Sequence, residues 1–178
     1  MVQIVPYHEQ YEPQLKALLR GFEIEVEHKR TLPSSVLEVT FSDEDDDLSE
    51  LIDENVEDAL AQINAKGDDC YLALSPEGAV LGFQMTHLYH NKADAKIRPG
   101  DLEVSRLYVH PDFRKQGIAR MLDEHCLERA KGVESVNRVI TFVEEGNPNT
   151  ALKKELGFRR TSGYQDGARV YHLFQKAI

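Results

Sequence analysis

Apolar residues recur at helical spacing in two stretches of the first third of the chain. A short apolar run at residues 2–5 predicts a strand before the first stretch. Positions three or four apart then repeat in residues 11–26 and again in residues 48–63, where Ser42 or Asp47 could cap the helix. This periodicity predicts two amphipathic helices. Their apolar faces consist of Tyr11, Leu15, Leu18, Leu19, Phe22 and Val26, and of Leu48, Leu51, Ile52, Val56, Ala59, Leu60 and Ile63.

The remainder of the chain alternates between strand-like and helix-like patterns. Turn and stop signals separate the segments, among them Pro76-Glu77-Gly78, His110-Pro111, Gly132 and Gly157. The predicted strands are residues 69–75, 79–90, 102–109, 135–143, 158–163 and 168–175, and the predicted helices are residues 117–132 and 147–156. The sequence therefore predicts an α/β protein with a mixed sheet.

Acidic residues outnumber basic ones and are concentrated in one segment. The formal net charge is −10, and residues 31–65 contain 11 Asp and Glu but no Lys or Arg. This charge argues against a nucleic-acid partner, which requires a basic surface. The acidic tract at residues 38–58 could attract a cationic ligand, although a solvated loop and helix face is the simpler interpretation.

Length and residue content limit the class of protein further. A chain of 178 residues with 41% hydrophobic composition is expected to form one domain, residues 1–178. The absence of a recognisable targeting sequence or membrane-spanning run predicts a cytoplasmic location and no membrane partner. Cys70 and Cys126 are predicted to be reduced thiols, and the scattered histidines predict no metal site.

Residues 107–119 place a strand, a tight loop and a helix N-terminus in succession. The first turn of a helix has unpaired N–H groups and a positive dipole end. Gly117 and Ala119 leave room for a phosphate there, and Arg114 and Lys115 add charge. The chain contains neither Gly-x-Gly-x-x-Gly nor Gly-x-x-x-x-Gly-Lys-Ser/Thr, so the segment is not a Rossmann or P-loop pattern. It predicts a pyrophosphate site of another kind.

The Arg-x-x-Gly-x-Ala motif at residues 114–119 resembles the acetyl-CoA pyrophosphate loop of the GNAT (GCN5-related) N-acetyltransferase superfamily. Residues 103–109 resemble the strand before that loop, and residues 149–158 resemble a later helix with its Leu-Gly-Phe end. The resemblance implies a single α/β (α+β) domain whose central mixed, largely antiparallel, splayed sheet is flanked by helices. Residues 23–67 match least and are expected to form a variable, acidic helical segment on the acceptor side.

The resemblance also implies how the chain would bind acetyl-CoA as its acetyl donor. The backbone of residues 107–109 would pair with the pantetheine arm as an added strand, and the Val109 N–H would polarise the thioester carbonyl. Asn147 or Asn149 would hydrogen-bond the arm from the other side. The expected cofactor-binding residues are Leu107, Tyr108, Val109, Arg114, Lys115, Gln116, Gly117, Ile118, Ala119, Asn147 and Asn149.

Glu103 is the candidate catalytic base. An ammonium group must lose a proton before it attacks a thioester, and Glu103 lies on the strand beside the expected thioester position. Strand alternation predicts that Glu103, Ser105, Leu107 and Val109 share one face. A surface or salt-bridged carboxylate, for which Arg106 is one candidate partner, is an equally good interpretation.

One position departs from the family pattern. Where the family commonly has a tyrosine that protonates the leaving thiolate, this chain has Lys153 or Lys154, whose simplest interpretation is a solvated face near the CoA phosphates. Tyr108, Tyr164 and water are the other candidate acids. Separately, Tyr164, Tyr171 and Phe174 could line an acceptor pocket, although core positions are the simpler interpretation of these aromatic residues.

Two functions are therefore predicted as alternatives. The first is acetyl transfer from acetyl-CoA to a primary amine of a small molecule or peptide, which could be cationic, by direct attack in a ternary complex. The second is a catalytically weak acyl-CoA-binding sensor or scaffold. The identity of the acceptor, the general acid and the presence of a homodimer stay open.

Overall fold

The computed structural model describes residues 1–31, 46–63, 68–91, 96–167 and 169–178. The strands are β1 (Gln3–Pro6), β2 (Asp68–Leu74), β3 (Val80–Leu88), β4 (Asp101–Val109), β5 (Arg138–Glu144), β6 (Arg159–Asp166) and β7 (Arg169–Ala177). The helices are α1 (Glu12–Thr31), α2 (Asp46–Ile63), α3 (Ile118–Lys131) and α4 (Asn149–Glu155). Every predicted element is present, with bounds shifted by a few residues. Asp47 lies inside α2 rather than capping it, Leu51 is exposed, and Ser42 lies outside the described residues.

The seven strands form one open sheet in the order β1-β2-β3-β4-β5-β7-β6. Neighbouring strands are antiparallel except for β4 and β5, which run parallel. The predicted mixed, largely antiparallel sheet is therefore confirmed.

The sheet separates two hydrophobic layers. On the face that we call the α1 face, α1 and α2 pack over the first strands around Leu19, Leu72 and Phe83. On the opposite, α3 face, α3 packs around Leu122 and Val139. Cys70 belongs to the first layer and Cys126 to the second, and both are free thiols, as predicted, in buried positions.

The sheet opens between β4 and β5. The two strands pair only from Asp101 to Glu103, opposite Arg138 to Ile140, and no described strand pairs with residues 104–109 on that side. A buried ion pair holds the closed end, where the Arg138 guanidinium donates to both Asp101 carboxylate oxygens, at 2.5 and 2.6 Å. The splay that the family resemblance implied is therefore present.

A β-bulge at Arg106 interrupts β4. Phe83 pairs with Tyr108 and Met85 pairs with Ser105, so β4 contains one residue more than β3 between these two pairs. Arg106 has a φ of +42°, in the left-handed region. Such an extra residue reverses the side-chain alternation beyond it.

The bulge decides which face each residue of β4 presents. Tyr108 follows Glu103 and Ser105 onto the α1 face, whereas Leu107 and Val109 contact the core of the α3 face. The prediction that Glu103, Ser105, Leu107 and Val109 share one face is wrong, because uninterrupted alternation was assumed. One strand thus presents Glu103 to one side of the sheet and Val109 to the other.

Candidate active site

The loop after β4 exposes a group of backbone donors. A 3₁₀ turn at Pro111–Phe113 is followed by positive φ angles at Lys115 and Gly117, and α3 then begins at Ile118. Within the described residues, the amide N–H groups of residues 115–120 have no backbone acceptor. N-terminal donors of this kind, together with the helix dipole, attract anions. The geometry of this loop therefore suits a phosphate.

Gly117 keeps the space in front of these donors open. Its φ is +81°, and a Cβ built on it would meet no atom within 4 Å. A side chain would be strained there and would project into that open space. The next residue, Ile118, is 2% exposed and anchors α3 in the core, so only its backbone is available to a ligand.

The Arg114 side chain contacts α1 and β4. Its Nε donates to the Val109 carbonyl at 2.8 Å, and its Nη2 forms an ion pair with Glu25. The positive charge that the sequence predicted for this loop is therefore paired with a carboxylate. Lys115 and Gln116 are exposed at the tip of the loop.

Hydrogen bonding along β4 determines where the Val109 amide points. The His110 N–H donates to the Leu81 carbonyl at 2.9 Å, and Val109 lies opposite Gly82. In an antiparallel ladder, the residue next to a hydrogen-bonded pair directs its own N–H and C=O away from the partner strand. The Val109 N–H therefore points to the side where β5 has diverged, and Leu107, two residues earlier, has the same orientation.

Asn147 and Asn149 form the turn into α4. The Asn147 Oδ1 accepts a hydrogen bond from the Asn149 N–H at 2.9 Å, and the Asn147 carbonyl accepts one from the Thr150 N–H at 3.0 Å. The Asn147 side-chain oxygen is thus used by the turn, which leaves its amide nitrogen as the donor for a ligand.

Comparison with known proteins assigns this chain to a family. The family model described as Acetyltransferase (GNAT) family matches residues 34–158. The chain belongs to the GNAT family. A mycothiol acetyltransferase from Salinispora tropica is 32% identical over 94 residues, which is 52% of this chain and 29% of that protein. The match therefore spans less than a third of this relative.

Solved structures share the GNAT fold over almost the whole chain. A ribosomal-protein-alanine N-acetyltransferase from Brucella melitensis has a TM-score of 0.68 at 22% identity and covers 99% of both chains. A GCN5-related N-acetyltransferase from Kribbella flavida has a TM-score of 0.70 at 15% identity, covering 99% of this chain and 98% of the other. The PaiA N-acetyltransferase from Thermoplasma acidophilum, solved in complex with coenzyme A, has a TM-score of 0.70 at 16% identity, with 100% and 99% covered.

Acetyl-CoA is the acetyl donor of GNAT proteins, and two features of this chain fit it. The free N–H groups of residues 115–120 and the open space at Gly117 suit a pyrophosphate. The unpaired edge of β4 at Leu107 and Val109 suits the amides of a pantetheine arm, because these groups can complete an added strand.

Glu103 lies where the GNAT sheet opens, on the α1 face. The Tyr89 hydroxyl donates to its Oε2 at 2.7 Å. Arg106 does not pair with Glu103, because its Nη1 donates to Gln62 at 3.0 Å and its Nε lies 4.0 Å from Glu23. The interpretation of Glu103 as one half of a pair with Arg106 is therefore wrong.

An aromatic surface lies near Glu103. The Tyr164 and Tyr171 rings stack with centroids 5.2 Å apart, and Lys96 Nζ lies 5.2 Å from the Tyr164 centroid. Burial, followed by the charges of Tyr171, Asp166 and Glu103, raises the pKa of Tyr164. Phe174 is 1% exposed in the core of the α3 face, so the simpler interpretation, a core position, is confirmed for this residue.

The inward stripe of α1 changes from leucine to glutamate along the helix. Leu15, Leu19, Glu23 and Glu27 recur every four residues, and each is at most 6% exposed. Buried carboxylates need charged or hydrogen-bonding surroundings, unlike the leucines before them. The second half of α1 therefore borders a polar region on the α1 face.

Lys153, one of the two residues that could stand at the family's tyrosine position, is buried and paired. Lys153 is 3% exposed, and its Nζ lies 2.6 Å from Asp123 Oδ1, which also accepts a hydrogen bond from Gln84 Nε2 at 2.9 Å. The prediction that Lys153 lies on a solvated face is wrong, whereas Lys154 is exposed as expected. Tyr108 is also engaged, because its hydroxyl donates to Glu25 at 3.3 Å.

The acidic tract is described only from residue 46 onwards. Its residues in α2 include Glu50, Asp53 and Glu57, which line an open groove along the helix. Arg20 pairs with Asp53, and Lys16 Nζ lies 3.0 Å from Glu57. In the part of the chain that the structure describes, no cluster of His, Cys, Asp or Glu could hold a metal, and no helix has the length and apolar character to cross a membrane.

Three residues near the site were missed by the sequence reasoning: Glu25, Tyr89 and Asp123. For Glu25 a signal existed, because it follows Leu18 and Phe22 at spacings of four and three on the inward side of α1. Asp123 gave a similar signal, as it stands beside Leu122 on the apolar stripe of α3. Tyr89 gave none, since its contact with Glu103 depends on how β3 and β4 pair.

Proposed function

We propose that this chain transfers the acetyl group of acetyl-CoA to a primary amine by direct attack in a ternary complex. The observation that carries the proposal is the opening of the sheet beyond Glu103, beside the free N–H groups of residues 115–120. Acetyl-CoA would supply an activated thioester in that opening. The Val109 N–H points there and would stabilise negative charge on the carbonyl oxygen.

Glu103 would act as the base. It would take a proton from the acceptor ammonium, directly or through water, and the hydrogen bond from Tyr89 would keep its carboxylate in place. The neutral nitrogen would then bond to the acetyl carbon while the carbon–sulfur bond breaks. The nitrogen would then lose its second proton, which would pass through water to the thiolate sulfur, because Lys153 and Tyr108 are already engaged by Asp123 and Glu25.

The acceptor would be a cationic small molecule or peptide. Glu23 and Glu27 lie on the inward stripe of α1, and Glu103 faces the same side of the sheet, so negative charge on this face supports a positively charged ligand. The stacked pair Tyr164 and Tyr171 supports this, because the ammonium of Lys96 already lies over one of the rings.

One observation favours the second function, a CoA-binding module with little turnover. The position commonly occupied by a proton-donating tyrosine holds Lys153 or Lys154, of which Lys153 is buried against Asp123 and Lys154 is exposed. Calorimetric titration with acetyl-CoA, followed by turnover assays with spermidine and with an alanine N-terminal peptide, separates the two functions. Binding with acetylated product supports the transferase, binding without product supports the module, and no binding contradicts both.

The role of Glu103 is tested by Glu103→Gln, with Glu77→Gln in the β2–β3 turn as a matched control. We expect the variant to acetylate about 100-fold more slowly at neutral pH. The deficit should shrink near pH 10, where the amine loses its proton unaided, and acetyl-CoA affinity should not change. An equal deficit at both pH values would remove Glu103 from the proton transfer.

A further inference from the structure

Groups from three parts of the chain meet beside the cofactor loop. The Glu25 carboxylate, on α1, accepts a hydrogen bond from the Tyr108 hydroxyl at 3.3 Å and pairs with the Arg114 guanidinium. The same guanidinium stacks over the Tyr108 ring, with Cζ 5.3 Å from the centroid, and donates from Nε to the Val109 carbonyl at 2.8 Å. These contacts close a ring from α1 through β4 to the loop, which we call the Glu25–Arg114 ring.

Two local features of the sequence allow this ring to form. The bulge at Arg106 turns Tyr108 toward α1, whereas uninterrupted alternation would have turned it toward α3. Gly21, one helical turn before Glu25, leaves space for the tyrosine, since a Cβ at this position would lie 2.8 Å from the Tyr108 hydroxyl oxygen. The ring therefore depends on α1, a helix outside the Arg-x-x-Gly-x-Ala motif.

The Glu25–Arg114 ring fixes the backbone on both sides of the Val109 N–H group. Tyr108 precedes this N–H and is held through its side chain, while the Val109 carbonyl is held by Arg114. Arg114 is also the first residue of the loop whose N–H groups suit the phosphates. The planar guanidinium of Arg114 donates to the Val109 carbonyl and to Glu25 from separate nitrogen atoms, which the single ammonium group of a lysine could not do in the same fixed geometry.

We propose that Arg114 and Glu25 are positioning residues that hold the Val109 amide and the loop N–H groups ready for acetyl-CoA, and that Arg114 is not a ligand of the phosphates. This inference rests on the proposed function of the site. The backbone donors of residues 115–120 then bind the phosphates, and the guanidinium acts through the backbone.

The proposal predicts that removing the Glu25 charge weakens CoA binding, whereas the repulsion between Glu25 and an anionic ligand predicts the opposite. Removing the Glu25 charge beside an anion site would tighten CoA binding if Arg114 were a phosphate ligand, because the arginine would be released toward the phosphates. If Glu25 holds the loop through Arg114, its removal weakens binding instead. Glu25→Gln therefore distinguishes the two roles of Arg114.

The test is calorimetric titration of the full chain and its variants with CoA. We expect Glu25→Gln, Arg114→Gln and Arg114→Lys each to weaken binding about tenfold, the loss of one charge-assisted hydrogen bond. The double variant Glu25→Gln/Arg114→Gln should bind CoA no more weakly than either single variant, because each single substitution already breaks the same Glu25–Arg114 contact. Glu128→Gln, which removes the same charge from an exposed pair at the far end of α3, should bind as the wild type does.

Tighter or unchanged binding in Glu25→Gln, or wild-type affinity in Arg114→Lys, would overturn the proposal. A second measurement does not depend on CoA: in amide NMR spectra of the free protein, Glu25→Gln should shift the Val109 and Gly117 resonances, and unshifted resonances would also overturn it. Failure of the wild-type chain to bind CoA would count against the proposed function, while the NMR comparison would still test the ring.

Discussion

The two ends of β4 are held in different ways. At its start, Asp101 pairs with Arg138 of β5, and on the other side its carbonyl accepts a hydrogen bond from the Tyr89 N–H at 2.9 Å. Asp101 is 1% exposed and receives two hydrogen bonds from the Arg138 side chain. At its end, Val109 has a strand on one side only, and the nearby pair of Arg114 and Glu25 is more than one-third exposed. The closed end is fixed by burial, and the open end is fixed by contacts at the surface.

This difference separates folding from binding along one strand. At the closed end the Asp101 carboxylate is satisfied internally, so this residue contributes to stability and offers nothing to a ligand. The open end leaves backbone donors unpaired, which is costly in isolation but useful to a cofactor that can add the missing strand. Substitutions at the closed end should therefore change stability, and substitutions at the open end should change affinity.

The largest stability effect is expected at the closed end, from Asp101→Ala. The substitution leaves the Arg138 guanidinium without its main partner in a mostly buried position, at a cost of about 3–5 kcal/mol in the free energy of unfolding. Urea denaturation measures this loss. Glu128→Ala, in an exposed pair, is the control and should cost less than about 0.5 kcal/mol. Equal losses in the two variants would contradict the distinction.

At the open end, Gly117→Val should remove cofactor binding while the protein stays folded. The left-handed φ costs about 1–2 kcal/mol for any other residue, and the new side chain projects in front of the phosphate donors. CoA affinity should fall at least about 100-fold, since several charge-assisted hydrogen bonds are blocked. Gly78→Val is a matched control, because this turn glycine also has a positive φ and open surroundings. It should lose similar stability and keep full affinity.

A smaller effect is expected where the open end meets α1. Gly21→Ala places a Cβ against the Tyr108 hydroxyl, so the usual gain of about 1 kcal/mol in helix propensity should be outweighed by crowding. In a Tyr108→Phe background the crowded atom is absent, and the same change should stabilise the protein by about 1 kcal/mol. Thermal unfolding of the four proteins tests this reversal. A stabilising effect in both backgrounds would show that the contact carries no energy.

The smallest effect is expected at alkaline pH, where ionisation of the Tyr108 hydroxyl lowers the free energy of unfolding. Burial, followed by the Glu25 charge, raises the pKa of Tyr108 from 10.0 to about 12. The unfolded chain therefore ionises first, so the contribution of the neutral hydroxyl is complete below pH 10 and is lost as the pH rises to 12. The pKa difference corresponds to at most about 2.7 kcal/mol, and solvent screening at the partly exposed Arg114–Glu25 pair reduces the loss that we expect relative to Tyr108→Phe to about 1 kcal/mol over this window. If the difference in unfolding free energy between the two proteins did not change between pH 10 and pH 12, the raised pKa of Tyr108 would be contradicted.

The local parts of the site could be predicted from the sequence. The strand, the Arg-x-x-Gly-x-Ala loop and the following helix are consecutive, so the free N–H groups and the need for Gly117 follow from helix geometry alone. The hydrophobic stripes of α1, α2 and α3 placed most of the core for the same reason, since their spacing encodes the buried face.

Contacts between distant segments could not be predicted in this way. The bulge involves Arg106, a residue type that gives no turn signal, and it exists because the register of β4 against β3 requires one extra residue. The burial of Lys153 could not be predicted because its partner, Asp123, lies on another helix. The pairing of Arg114 could not be predicted because its partner, Glu25, is 89 positions away along the chain.

The single extra residue at Arg106 also has a consequence for engineering. It divides β4 into two segments whose odd-numbered residues lie on opposite faces of the sheet. Glu103 and Ser105 lie on the α1 face, and Leu107 and Val109 lie on the α3 face. A library that varies the first segment would sample new amine preferences without altering the donor half of the strand. Deleting Arg106 would remove the extra residue and leave one uninterrupted alternation, in which Glu103, Tyr108 and Val109 keep the faces they have now.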